Sequence, residues 1–213
     1  MLFKGIFQQL SVSWSAILFL FIAIIVISVL RFRIVKGWIG EKVTAAGMWL
    51  GLDGNVYRRT DDVIIPVSDG TTQIDHVLVS KYGIFVIETK NMKGWIFGSS
   101  HDEKWTQSIY GKKSQFQNPL RQNYRHVKCL TEFLDIEEGK IKPVVFFIGD
   151  CEFKTPMPSN VLNSGLIPYI KGFKQECLTE EQVSEIEGKL ITLKQDKSLN
   201  REAHIDSLRR VMK

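Results

Sequence analysis

The chain has 213 residues, of which 44% are hydrophobic and 24% charged, so it can form one good-sized domain with appendages. Its formal net charge of +5 permits a phosphate-bearing or anionic-lipid partner without establishing one. No C-x-x-C pair occurs among Cys129, Cys151 and Cys177, which argues against a zinc site or a disulfide framework. These cysteines are predicted to be buried, reduced thiols of a cytosolic domain.

The first predicted element is a membrane-spanning helix. No charged residue occurs in residues 5–30, and residues 14–30 are nearly all apolar, as a helix that crosses a bilayer requires. A buried core helix or a cleaved signal peptide are the alternatives, but the run is longer than the apolar region of a signal peptide and lacks its cleavage site. Three cations follow the span and only Lys4 precedes it, so the rest of the chain is predicted to lie in the cytoplasm.

A helix and a β-rich block are predicted next. Residues 36–50 show the helical spacing of apolar side chains, and the glycines of residues 51–55 end that helix. The strands that follow are bounded by Gly, Pro, Asn and Asp. They are predicted at residues 56–67, 73–80, 83–91, 95–99 and in two segments on either side of a turn at Gly111.

The second half of the chain begins with a helix that is capped by Asn118 and has Pro119 at its first position. The apolar residues predicted to face the core from this helix are Leu120, Val127, Leu130 and Leu134. Residues 142–149 are predicted to be a buried strand in parallel pairing, and residues 161–173 a pair of strands.

The C-terminal part is predicted to be helical. Thr179 and Gln182 form a capping-box pattern ahead of one helix, and residues 200–213 form a last, basic helix. The order of elements predicts an α/β fold of the α+β type, in which a mixed sheet is flanked by helices.

Three charged residues, Asp75, Glu88 and Lys90, lie near the ends of two predicted strands whose other residues are mostly apolar, as in a buried core. Glu88 and Lys90 are two residues apart on one strand and therefore share a face. Antiparallel pairing of the strands brings Asp75 close to them. Two adjacent carboxylates favour a divalent cation such as Mg²⁺ between them. On the spacing alone, however, an ion pair of Lys90 with either acid is the commoner arrangement.

A metal held by two carboxylates beside a lysine suits phosphodiester hydrolysis. The metal binds a phosphate oxygen and lowers the pKa of a bound water molecule. Lys90 can orient or activate that water and offset negative charge in the transition state.

The surrounding sequence resembles the NERD, or nuclease-related, domain of the PD-(D/E)XK restriction-endonuclease-like superfamily. The resemblance covers roughly residues 36–154 and is carried by Trp105 and by three segments in the same order as in the family. These segments are GWIGEKV (37–43), TTQIDHVLVSKYGIFVIETKNMKGWIFG (71–98) and FQNPLRQNYRHV (116–127). It implies a metal-dependent nuclease core of αβββαβ type.

The resemblance also implies roles for individual residues. The catalytic set is Glu41, Asp75, Glu88, Lys90 and Gln122, of which Glu41, Asp75 and Glu88 would hold Mg²⁺ or Mn²⁺. For two of these residues a structural role is the alternative: Glu41 as a charge that stabilises a helix N-terminus, and Gln122 as a solvated helix residue.

Basic side chains near these residues are candidates for binding a phosphate backbone. Arg121, Arg125 and Lys128 follow each other at i, i+4 and i+7 on the helix that carries Gln122, although such a stripe is also typical of a solvated helix face. Lys93, Lys112 and Lys113 extend the set. His76 is interpreted as a structural histidine, and both Trp95 and Trp105 as packing residues rather than base-stacking platforms.

The sequence therefore predicts a membrane-anchored, divalent-metal-dependent nuclease that acts on DNA, with RNA as a second choice. The alternative is a non-catalytic, membrane-anchored module that binds nucleic acid or protein. The predicted divisions are an anchor (1–34), the nuclease-like domain (35–155) and a C-terminal extension that packs on it (156–213). A homo-oligomer is a further predicted partner, since many enzymes that cut duplexes act as dimers.

Overall fold

The computed structural model describes residues 16–22, 24–25, 46–47, 50–67 and 70–195. The chain divides into two units, Met1–Ile39 and Gly40–Lys213. The described residues of the first unit are helical and have exposed side chains. No helix in the described part of the chain is long and apolar enough to cross a membrane. Much of the predicted span, most of the helix predicted at 36–50, and the last basic helix lie outside the described residues.

Within residues 58–195 the second unit contains nine strands and three α-helices. The strands are β1 (Arg58–Val67), β2 (Gly70–Ser80), β3 (Gly83–Asn91), β4 (Gly94–Phe97), β5 (Lys104–Ile109), β6 (Lys112–Gln117), β7 (Ile141–Ile148), β8 (Cys151–Phe153) and β9 (Val161–Leu162). The helices are α1 (Pro119–Leu134), α2 (Leu166–Lys171) and α3 (Glu180–Gln195), with a short 3₁₀ turn at Glu138–Lys140.

Five of these strands form a mixed sheet in the order β1-β2-β3-β7-β9. The first three are antiparallel neighbours, whereas β7 pairs in parallel with both β3 and β9. The crossover from β3 to β7 contains α1, as a parallel pair requires. The predicted mixed sheet and the parallel pairing of residues 142–149 are thus confirmed.

A second, four-stranded sheet in the order β6-β5-β4-β8 was not predicted from the sequence. Strand β5 pairs in antiparallel fashion with both β6 and β4, and β4 pairs in parallel with β8. Strand β8 follows β7 after a break at Gly149, so β3 and β7 continue into the second sheet as β4 and β8.

Helices cover both faces of the five-stranded sheet. On one face, the buried stripe of α1 packs with α3 against the sheet, and Val127, Leu130 and Leu190 are almost fully buried there. On the other face, Leu166 and Ile170 of α2 pack in one cluster with Phe85 and Ile87 of β3. Burial of apolar area on both faces explains why β3 is apolar over most of its length.

The aromatic core of the second sheet is centred on Trp105, which is fully buried. Its ring stacks on Phe147 with a centroid separation of 6.1 Å and an interplanar angle of 6°. A side chain at Gly98 would overlap the Trp105 ring, with a contact of 2.3 Å. The prediction that Trp105 packs is confirmed, whereas Trp95 has 51% of its surface exposed.

The pair of strands predicted at residues 161–173 is wrong. Only Val161–Leu162 is a strand, and Leu166–Lys171 is the helix α2. Gly165, in the left-handed region at φ 70°, precedes the helix, and Pro168 lies in its first turn, where proline is tolerated. The capping box of α3 is confirmed: the Thr179 amide donates to Gln182 Oε1 at 3.0 Å, and the Gln182 amide donates to Thr179 Oγ1 at 3.3 Å.

Side-chain alternation along β2 shifts by one residue near Asp75. Ile74 and Val77 are three residues apart, yet both belong to the core under α1 and α3, where strict alternation would place them on opposite faces. On β1, Asp62 lies at the same level and has φ 57°, a left-handed conformation that aspartate tolerates better than most residues. The irregularity turns the residues of β2 before Asp75 towards α1.

The three cysteines form no disulfide with one another. Each is half-buried, so the prediction of fully buried cysteines is wrong in degree.

Candidate active site

Asp75 and Glu88 lie just beyond the end of the β2–β3 ladder. The last paired residues are His76 and Ile87, and the same register continued by one residue places Asp75 opposite Glu88. The Thr89 N–H donates to Asp75 Oδ2 at 2.8 Å. The Asp75 carboxylate thus takes the place of the backbone carbonyl that would accept this N–H in a regular ladder. The Asp75 carboxylate is therefore fixed beside the backbone that joins Glu88 to Lys90.

Glu88 is a buried carboxylate whose two oxygens both accept hydrogen bonds. Its side chain is 2% exposed; Oε1 lies 2.5 Å from Lys90 Nζ and Oε2 lies 3.2 Å from His126 Nε2. Burial raises the pKa of the Glu88 carboxyl, but the hydrogen bond from His126 and the charge and hydrogen bond of Lys90 outweigh it. The pKa of Glu88 therefore lies below its usual range, and the side chain stays ionised.

Lys90 connects this buried carboxylate to the surface. Its Nζ also donates to Gln122 Oε1 at 2.9 Å, and 21% of the lysine side chain is exposed. Of the residues predicted for the site, Asp75, Glu88, Lys90 and Gln122 are thus brought together. Glu41 lies outside the described residues.

His126 is part of this cluster and was missed in the sequence. It lies one turn after Gln122 on α1, so the two side chains point to the same side of the helix. His126 Nδ1 is 2.9 Å from Thr72 Oγ1, and the ring therefore joins the Thr72 hydroxyl to Glu88. The i, i+4 spacing of Gln122 and His126 is the signal that could have identified the histidine.

Two asparagines hold α1 over the end of β3. Asn118 caps the helix by accepting the Leu120 N–H at 2.9 Å, and its Nδ2 donates to three carbonyl oxygens of the loop before β5, the shortest to Asp102 at 2.7 Å. Asn123, which is 1% exposed, donates to the Val86 and Val144 carbonyls at 3.1 and 2.9 Å. Asn123 therefore links α1 to β3 and β7 at the level of the site.

The two carboxylates of the site are the smallest set of protein ligands that suits a divalent ion. Asp75 and Glu88 supply carboxylate oxygens, and Mg²⁺ is commonly bound by one or two carboxylates together with water and substrate phosphate. Among the residues that the structure describes, no three His, Cys, Asp or Glu side chains form a group that could hold a metal ion. A third protein ligand would have to come from elsewhere, and Glu41 is the residue that the sequence predicts.

The basic residues proposed for phosphate contact lie at the surface, where several already contact other parts of the protein. Arg121 donates to the His101 carbonyl at 2.7 Å, and Lys128 pairs with Glu138 at 2.5 Å. Lys93, Lys112 and Lys113 are exposed on or before the strands of the second sheet. Contact of any of these with nucleic acid stays a prediction.

His76 forms a buried pair with Asp61 rather than joining the carboxylate cluster. His76 Nδ1 lies 2.8 Å from Asp61 Oδ1, and the ring is 2% exposed. Burial raises the pKa of Asp61, but His76, Arg59 and Lys194 together outweigh it, so the pKa lies below its usual value. This pairing agrees with the structural role predicted for His76.

The Asp61→Asn substitution is expected to lower the free energy of unfolding by about 1–3 kcal/mol at pH 7, because a hydrogen bond to a charged group is lost. A carboxyl with a depressed folded-state pKa contributes stability above its unfolded pKa, about 4, and loses it as pH falls through the folded pKa. The difference from wild type should therefore shrink in urea unfolding below about pH 4. A difference that stays constant from pH 7 to pH 3 would contradict this account.

Comparison with known proteins gives a family and one relative. A family model described as the nuclease-related domain, NERD, matches residues 36–148, more than half of the chain. An uncharacterized protein of Bacillus anthracis is similar, with 47% identity over 96 residues. The aligned part covers 45% of this chain and 45% of the relative, so this chain spans less than half of that relative's length. No solved structure matches the chain significantly. Asp75, Glu88, Lys90, Gln122 and His126 all lie within the segment that the family model matches.

Proposed function

The chain belongs to the nuclease-related domain family, and on that premise we propose that it is a divalent-metal-dependent nuclease that hydrolyses phosphodiester bonds of DNA, with RNA as a second choice. Family membership indicates a nuclease-like function in general. The observation that carries the finer proposal is the cluster at the end of β3, where an ionised, buried Glu88 lies between Lys90 and His126, with Asp75 opposite. Charged side chains are rarely fully buried unless they are paired, and carboxyl groups with a shifted pKa concentrate at functional sites.

Asp75 and Glu88 would hold a divalent ion, with Glu41 as the third ligand implied by the family. Such an ion lowers the pKa of a bound water molecule and offsets charge on the phosphate. Lys90, part-exposed at the edge of the cluster, donates hydrogen bonds towards that water or towards a phosphate oxygen. Gln122 holds the Lys90 ammonium in place, and His126 holds the second oxygen of Glu88.

A cleavage assay tests this proposal. The full chain, in a non-ionic detergent, is incubated with labelled single-stranded DNA, duplex DNA and RNA, with Mg²⁺, with Mn²⁺ and with a chelator. Cleavage of DNA that requires the metal is expected. Absence of cleavage of all three substrates with either metal would contradict the nuclease proposal.

A second candidate is a non-catalytic module that retains the nuclease fold and binds nucleic acid or protein. It is favoured by the fact that both oxygens of Glu88 already accept hydrogen bonds from the protein, and by the lack of a three-residue metal group among the described residues. Calorimetric titration with Mg²⁺ or Mn²⁺ separates the two candidates. The nuclease should bind the ion and lose binding on Asp75→Ala, whereas the binding module should show no heat of metal binding.

We further propose that the N-terminal segment anchors the protein in a membrane with the nuclease-like domain in the cytoplasm. Residues 14–30 are almost entirely apolar, and the apolar side chains of the described helical residues there are exposed, including Phe19 at 76%. Burial of that surface in lipid would remove it from water. Membrane fractionation with alkaline carbonate should leave the protein in the pellet; release into the supernatant would contradict the anchor.

A further inference from the structure

The four-stranded sheet has one face in the core and one face open to solvent. Trp105 and Ile96 lie on the buried face and are fully inaccessible. Residues that face each other across paired strands share a face of the sheet. On this face the pairing places Lys113, Ser108, Trp95 and Glu152 in one row across all four strands. Ser108 is buried, whereas the other three side chains are exposed.

Trp95 lies in the middle of this open face and contributes little to the core. Half of its surface is exposed, and Lys154 Nζ lies 4.8 Å from the centroid of its ring. Lys154 covers part of the ring, and the exposed remainder of Trp95 offers an aromatic surface on which a flat ligand can stack.

A second aromatic side chain, Tyr110, lies at the tip of the β5–β6 hairpin. Tyr110 and Gly111 connect the paired residues Ile109 and Lys112, and both have positive φ, 49° and 79°. Such two-residue turns favour Asn-Gly, and a bulky residue in the left-handed region is strained. The Tyr110 side chain is fully exposed, so packing does not explain the strain. Strained residues of this kind concentrate at functional sites.

Trp95 and Tyr110 line one cavity of about 620 Å³, together with Lys93 and the acids Asp150 and Glu152. This volume lies in the range of small-ligand pockets. The two carboxylates disfavour a phosphate inside the cavity but accept hydrogen bonds from the amino groups of a base. The exposed Lys93, and Lys113 on the same face, are placed for the phosphates on either side.

We propose that this cavity, the Trp95–Tyr110 pocket, binds an unpaired nucleobase, and that the substrate of the nuclease site is single-stranded or locally unpaired nucleic acid. Trp95 follows Lys90 by five residues, which span at most about 18 Å of extended chain, so one strand can reach both places. Stacking on aromatic side chains accepts any base and requires that its faces be free. The proposal rests on the proposed nuclease function, because it names the substrate of that same site.

Binding measured without metal tests the pocket independently of cleavage. Fluorescence anisotropy of a labelled single-stranded 20-mer, and of the duplex of the same sequence, is followed with the full chain in detergent and a chelator. Trp95→Ala and Tyr110→Ala are each expected to weaken binding of the single strand by about 10-fold, with a much smaller effect on the duplex. Trp95→Phe and Tyr110→Phe keep the ring and should retain most of the affinity.

Two results would overturn the proposal. One is that both alanine variants bind the single strand as tightly as wild type. The two aromatic side chains would then be a candidate contact for a protein partner instead. The other is an equal loss of affinity for single strand and duplex. If the chain cleaves DNA but neither ring affects binding, the pocket proposal is wrong and the nuclease proposal stands. If binding depends on the rings but no cleavage occurs, the pocket proposal stands and the nuclease proposal is wrong.

Discussion

Glu88→Gln is expected to lower the rate of metal-dependent DNA cleavage by about 100-fold or more, the range found when a group that acts directly in proton transfer or charge stabilisation is removed. The substitution keeps the size of the side chain and removes only its negative charge. Lys90→Met is expected to cause a comparable loss, because it removes the ammonium group that is proposed to contact the phosphate.

The two single variants are expected to differ in stability, and this difference separates catalysis from folding. Lys90→Met leaves a 2% exposed carboxylate with one of its two partners, and such a buried, poorly compensated charge costs up to about 3–5 kcal/mol. The double variant Glu88→Gln/Lys90→Met removes both charges and should regain much of that stability. Its cleavage rate should nevertheless stay as low as in the single variants.

Glu185→Gln serves as the matched control. Glu185 also forms an acid–lysine pair, with Lys189 at 2.8 Å, but it is exposed on α3. Its substitution should change neither cleavage nor stability measurably. If Glu88→Gln, folded as shown by its circular dichroism and urea midpoint, cleaves DNA at the wild-type rate, the catalytic assignment is wrong.

His126→Leu is expected to lower metal-dependent cleavage by about 10- to 100-fold, the effect typical of a residue that orients a metal ligand. Without the imidazole, Glu88 Oε2 and the Thr72 hydroxyl both lose their partner, so the unfolding free energy should also fall by about 1–3 kcal/mol. The Mg²⁺ concentration for half-maximal cleavage should rise, which a loss of stability alone would not cause.

A graded set of variants tests whether His126 acts through Glu88. His126→Gln can still donate one hydrogen bond to the carboxylate and should recover part of the activity. Thr72→Val removes only the outer hydrogen bond and should have a smaller effect than His126→Leu. Wild-type metal dependence in His126→Leu would show that the histidine only fills space.

Much of the site could be predicted because it depends on local rules. Strand periodicity places Glu88 and Lys90 on one face, and antiparallel pairing of neighbouring strands brings Asp75 to them. The cap and first position of α1, Asn118 and Pro119, follow from backbone chemistry that a short window of sequence contains.

The parts that could not be predicted depend on contacts between distant segments. His126 reaches Glu88 only because α1 docks on β3 through Asn123, a contact that no local pattern encodes. Thr72 faces His126 because the alternation of β2 shifts near Asp75, and such an irregularity is invisible in a simple apolar–polar pattern. The second sheet requires β8 to pair with β4 across more than fifty residues, which the sequence order did not suggest.

The attachment of α1 bears on the energy of the proposed hydrolysis. Helix α1 is joined at its start to the loop before β5 and in its middle to the carbonyls of two strands. Gln122 and His126 are therefore oriented when the protein folds, before any substrate arrives. In the proposed hydrolysis, these dipoles would not have to reorient in each reaction, as water around a free phosphodiester must, because folding has already oriented them.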